Sequence, residues 1–148
     1  MVETGVLSET VINRDDRKKT NIIRVLIVDD HQVVREGLRR ILELEEDIQI
    51  VGEAATGDEA ITKTMALSPD VVTMDLKMPG MDGIIATREI KQKAPDVDVL
   101  MLTLYGEDFV KEAISAGASG YLLKDSDCDQ IVKAMAMYIT DYVPLHLL

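Results

Sequence analysis

Tryptophan is absent from this 148-residue chain, and phenylalanine and cysteine each occur once. The single Cys128 cannot close an intrachain disulfide. The first thirty residues hold no apolar stretch behind a basic start, and no run approaches the ~18 apolar residues of a membrane span. These absences predict a soluble cytoplasmic protein without a membrane partner. Positive charge is also scarce: Lys and Arg total 16 against 27 Asp and Glu, for a net charge of −11. Such a field repels polyanions and anionic lipid, which argues against direct nucleic-acid binding. Only four prolines occur, all at turns or element ends, and there are no repeats or low-complexity tracts. What is present is ordinary globular usage, 47% hydrophobic and 29% charged, in a length that suits one domain with short tails.

Residues 1–21 are polar and mixed in charge, and are expected to form a flexible N-terminal leader. From Ile22 to about Ile139, short β-branched runs alternate with longer amphipathic stretches. The runs Ile23–Val28, Ile48–Ala54, Val71–Met74, Val97–Leu102 and Gly120–Leu123 predict strands. The first helix is clearest, with Val33, Val34, Gly37, Leu38, Ile41 and Leu42 on one face and Arg35, Glu36, Arg39, Arg40 and Glu43 opposite. A second starts at the capping pair Thr56 and Glu59 and stops near Ser68-Pro69. A third runs from Gly83 to Lys93, a fourth from Glu107 to Ala116 with Gly117 as C-cap, and a fifth follows Ser126. Met65, Met101 and Met135 are expected to fill the core. The alternation predicts an α/β fold, a doubly wound five-stranded parallel sheet with five helices.

Ligands of such sheets bind beyond the carboxyl ends of the strands. Those ends carry Asp29-Asp30, Asp75, Thr103 and, one residue past Leu123, Lys124. Any one of these acids taken alone is more commonly a helix cap or a strand end. Three carboxylates on one rim repel, and a hard divalent cation, magnesium or manganese, is the economical reason to place them together. The same acids disfavour a flavin-phosphate site, and no G-x-G-x-x-G follows the first strand for a dinucleotide. A phosphohydrolase working through Asp75 would want a carboxylate two residues later, and that position is Lys77.

Four stretches appear in order at matching strand ends: Arg24 to Asp30, Asp75-Leu-Lys-Met-Pro79-Gly-Met-Asp-Gly83, Leu102-Thr103 and Gly120-Tyr121-Leu-Leu-Lys124. Together they resemble the receiver domain of two-component response regulators, over roughly residues 22–139. The stretches Asp30 to Leu38 and Gly117 to Asp125 are similar to its NarL/FixJ (LuxR-type) subfamily. The resemblance implies a flavodoxin-like receiver fold with strand order 2-1-3-4-5. It implies that Asp75 accepts a phosphoryl group from a sensor histidine kinase. Asp30, Asp75 and the backbone carbonyl of Lys77 would hold magnesium, and Asp29 would act through bound water. Lys124 and Thr103 would contact the phosphoryl oxygens, and Tyr121 would be the aromatic switch that follows Thr103. The domain would catalyse its own phosphoryl transfer without being an enzyme in the ordinary sense.

Residues 140–148 are expected to form a C-terminal tail, apolar from Tyr142 onward, and no DNA-binding half is expected in the few positions after Ile139. The chain is then a fragment of a transcription regulator or a stand-alone receiver. Its output would pass through the face made by the fourth helix, fifth strand and fifth helix, with homodimerisation on phosphorylation. A degenerate receiver used as a constitutive protein-binding module is the alternative. His31 reads as a first-turn residue of the first helix and His146 as a tail residue, neither of them a ligand.

Overall fold

Short apolar runs that show no polar face must be covered on both sides, and that requirement organises the structure. The computed structural model describes residues 22–125 and 128–138. The expected leader 1–21, the tail 140–148, Ser126 and Ile139 lie outside the described residues. The strands are β1 (Ile23–Val28), β2 (Ile48–Ala54), β3 (Val71–Asp75), β4 (Asp98–Thr103) and β5 (Gly120–Leu123). They pair in parallel in the order β2-β1-β3-β4-β5. Between and after them run α1 (Gln32–Glu43), α2 (Gly57–Leu67), α3 (Gly83–Lys93), α4 (Val110–Ala116) and α5 (Cys128–Tyr138). This is the fold class expected from the sequence, with β4 displaced by one residue toward Thr103.

Alternation along the strands divides the core between two faces. Leu26, Val28, Val72, Met74, Val99 and Met101 pack with Ala60, Ala86, Ile90 and Ala113 from α2, α3 and α4. Ile23, Val25, Ile27, Val71, Leu100 and Leu102 pack with Leu38 and Leu42 of α1 and with Ile131, Ala134 and Met135 of α5. Each large side chain buried this way contributes about 1.5–3 kcal/mol relative to exposure. Strand order reverses between β1 and β3, so the chain diverges there and leaves a crevice beyond their carboxyl ends.

The helix ends follow local chemistry. Thr56 Oγ1 accepts the Glu59 N–H at 3.1 Å, while Glu59 Oε1 accepts the Ala55 N–H at 2.6 Å, a capping pair that reaches one residue further back than usual. At the other end Ser68, ahead of Pro69, takes a left-handed φ of 49° that closes α2. Gly83 is required by proximity, because a Cβ there would sit 2.0 Å from the Asp75 carbonyl oxygen. Only glycine lets α3 begin directly against the end of β3.

Three sequence expectations are corrected. Met65 is exposed because the buried stripe of α2 is Gly57, Ala60 and Thr64, and position 65 falls on its outer edge. Val33 is exposed for a similar reason, since α1 buries Leu38 and Leu42 and, at about 3.6 residues per turn, position 33 falls off that stripe while Val34 and Arg35 are half-buried. Helix α4 starts at Val110 and not at Glu107, with Phe109 as its N-cap. The preceding residues form turns, across which the Phe109 ring meets Tyr105 edge-on with the centroids 6.2 Å apart.

Candidate functional site

All the strand-end residues singled out from the sequence converge on the crevice. Asp29 follows β1, and its N–H donates to the Ala54 carbonyl at 3.0 Å, so the strand ladder fixes its backbone. Asp75 closes β3 and Thr103 closes β4, both buried. Lys124 continues the β5 ladder, its N–H donating to the Thr103 carbonyl at 2.9 Å. Its Nζ then bridges two carboxylates, 2.6 Å from Asp29 Oδ2 and 3.0 Å from Asp75 Oδ1. Thr103 Oγ1 accepts the Tyr105 N–H at 3.1 Å.

Charge is unbalanced in this pocket, with three carboxylates facing one ammonium. Burial, reinforced by Asp29 and then Asp30, pushes the Asp75 carboxyl from 3.8 up to about 6, although Lys124 opposes the shift. Burial works against the Lys124 ammonium as well, but hydrogen bonds to Asp29 and Asp75 outweigh it and hold its pKa above the ordinary lysine value. Asp30 Oδ1 is buried without a hydrogen-bond partner; it lies 3.1 Å from His31 Nδ1 in an orientation that makes no hydrogen bond. One ligand atom each from Asp29, Asp30, His31 and Asp75 can be brought within 4.8 Å of one another. Carboxylate oxygens in this number suit a hard divalent cation such as magnesium or manganese. The orphaned Asp30 oxygen and the raised Asp75 proton affinity both fit that group.

Two groups were not anticipated as parts of the site. His31 is the N-cap of α1, and its N–H donates to Asp29 Oδ1 at 2.9 Å while its ring faces both acids. That corrects its reading as a plain first-turn residue. Arg35, assigned to the solvent face, donates from Nη1 to the Asp29 carbonyl at 2.7 Å and from Nε to Glu53 Oε1 at 2.9 Å. Glu53 also accepts from Arg39 Nε at 2.8 Å. Burial would raise the Glu53 carboxyl, but the two arginines hold it below its usual value. The signals were an i, i+4 arginine pair and one acid inside the apolar β2 run.

At the mouth, Lys77 Nζ stands 4.6 Å from the Phe109 ring centroid and 5.8 Å from that of Tyr105. Tyr121 is half-buried against the α2–α3–α4 face, and its hydroxyl donates to the Tyr105 carbonyl at 3.3 Å. Burial raises its phenol pKa, only partly offset by the Phe109 N–H and the Thr103 hydroxyl. Tyr121, Tyr105 and Thr103 therefore form one linked group.

Residues 25–136 match the family model described as the response regulator receiver domain. The chain belongs to this family. Among curated relatives, the receiver is 39% identical over 122 residues to the transcriptional regulatory protein DegU of Brevibacillus brevis, covering 82% of this chain and 52% of that protein. It is 46% identical over 115 residues to the transcriptional regulatory protein LiaR of Bacillus subtilis (strain 168), covering 77% and 54%. Among solved structures, a LuxR-family two-component response regulator from Aurantimonas sp. SI85-9A1 is 42% identical with a TM-score of 0.75, covering 79% of this chain and 85% of that one. These relatives are of the NarL/LuxR type. The chain spans about half the length of the curated relatives it matches. Among the described residues no helix is long and apolar enough to cross a membrane.

Proposed function

We propose that this receiver is a phosphorylation-dependent switch in which Asp75 takes a phosphoryl group from a phosphohistidine of a sensor histidine kinase. The observation that carries the reading is the Lys124 bridge between Asp29 and Asp75, with Thr103 at the neighbouring strand end. Asp75 Oδ1 is engaged by Lys124, which leaves Oδ2 as the nucleophile. A new O–P bond forms at Oδ2 as the P–N bond to the donor imidazole breaks, and the bond electrons stay on the imidazole nitrogen. Such transfers are mainly positioning and neutralisation of oxygen charge. Lys124 follows the oxygen charge from the carboxylate to the phosphoryl group, and the Thr103 hydroxyl donates to a second oxygen.

Asp30, Asp75 and the Lys77 carbonyl would hold magnesium or manganese, with Asp29 acting through bound water, and the ion would neutralise the phosphoryl oxygens. His31, facing the same acids, modulates that cluster. Arg35 holds the Asp29 backbone in place.

The output reading follows from the linked residues. When Thr103 moves toward the phosphoryl oxygen, it loosens the Tyr105 turn that Tyr121 is bonded to, and the Tyr121 ring turns inward. The α4–β5–α5 face then changes shape, and Ile114, exposed on α4, becomes part of a homodimer contact. On this reading the protein works in the cytoplasm, as the receiver part of a transcription regulator. The experiment is incubation with a small phosphodonor and magnesium. Wild type should gain one phosphoryl group that hydroxylamine removes, and Asp75→Asn should gain none. An unmodified wild type would leave a constitutive binding module as the better reading.

A further inference from the structure

A second concavity lies on the opposite side of the sheet from α3 and α4. It is a half-open cavity of about 220 Å³ between α1, α5 and the strand ends, with Val34, Leu38, Ile41, Leu102 and Ile131 as apolar walls. Thr73, in the middle of β3, lines it and is 1% exposed, yet its Oγ1 has no hydrogen-bond partner in the protein. Buried hydroxyls are almost always satisfied, so an unpartnered one aimed into a cavity points to a ligand group that meets it. One end of the cavity is closed by Asp29 and Lys124, whose charges are already engaged with each other at 2.6 Å. A charged ligand would therefore gain little there and would lose its hydration.

We propose that this cavity binds a small neutral molecule with a flat apolar body and one hydrogen-bond donor, which Thr73 Oγ1 accepts. Size sets the class: an apolar cavity of about 150 Å³ takes up benzene. The larger volume here accommodates a fused bicycle of the indole type. Entry is beside Gly37, where a Cβ would meet no atom within 4 Å. The cavity borders the acid cluster through Asp29 and Lys124 alone, and its apolar binding does not depend on the assignment of that cluster.

Indole and its isostere indene, which lacks the N–H, are suitable probes, followed by amide NMR shifts on the full chain. Wild type should show saturable shifts confined to residues around Val34, Thr73 and Ile131, with indole about 5-fold tighter than indene. Thr73→Val should remove that preference while still admitting both probes, and Val34→Phe should abolish binding of both. If Thr73→Val does not fold, the wild-type indole-to-indene ratio and the Val34→Phe result decide. The proposal is overturned by no saturable shift at the cavity up to the solubility of indole, which would mean that water alone enters. It is equally overturned by equal affinity of the two probes in wild type, or by a preference that survives Thr73→Val.

Discussion

Replacing Asp75 by asparagine should stabilise the metal-free protein at neutral pH. The folded carboxyl holds its proton up to about 6, against 3.8 in the unfolded chain, because it is buried beside Asp29 and Asp30. A raised acid pKa means that the folded state binds more protons than the unfolded state between those two values. Stability therefore falls as pH rises through that window, and the loss is complete above it. At 1.36 kcal/mol per tenfold change in proton affinity the ceiling is about 3 kcal/mol. Solvent at the pocket mouth screens part of this, which leaves ~1–2 kcal/mol, or roughly 5 °C in Tm for a domain of this size. The amide keeps the side-chain shape, removes the charge, and leaves Lys124 paired with Asp29. Urea unfolding of both proteins in EDTA, from pH 4 to pH 8, measures the difference. The gain should be full at pH 7.5, shrink toward zero at pH 4, and diminish at pH 7.5 when magnesium is added. Equal stability at pH 7.5, or a gain that persists unchanged to pH 4, would refute the electrostatic account.

Three further outcomes are expected. Asp30→Ala should weaken magnesium or manganese binding about tenfold or more in a calorimetric titration, since it removes the one cluster oxygen that is buried without a hydrogen-bond partner. Gly83→Ala should cost about 2–3 kcal/mol in urea unfolding, because the new methyl must displace α3 from the Asp75 carbonyl. Beryllofluoride with magnesium should raise the dimer fraction of wild type in sedimentation, and Tyr121→Ala should blunt that rise; equal fractions in all four samples would remove Tyr121 from the switch.

Much of the site was legible because the residues in question end apolar runs. In a parallel sheet all such ends share an edge, so Asp29, Asp30, Asp75, Thr103 and Lys124 could be brought together without coordinates. Periodicity placed the helices but not the width of their buried stripes, and Val33 and Met65 fell just outside them. Around the start of α4, Tyr105 and Phe109 of one connection meet each other and the Lys77 ammonium from the loop after β3, and that contact with a distant loop leaves no local pattern. The role of Arg35 was hidden for a related reason. A charged residue on the polar side of an amphipathic helix looks solvated until β2 brings Glu53 beneath it.

The central claim is that Asp75 is the phosphoacceptor. Borohydride reduces an aspartyl phosphate to homoserine, so treatment of the phosphorylated protein followed by peptide mass mapping locates the modified position. The account predicts homoserine at position 75 alone, formed only when phosphodonor and magnesium were both present. Homoserine at position 29 or 30, or full-yield conversion elsewhere in an Asp75→Asn variant, would contradict it.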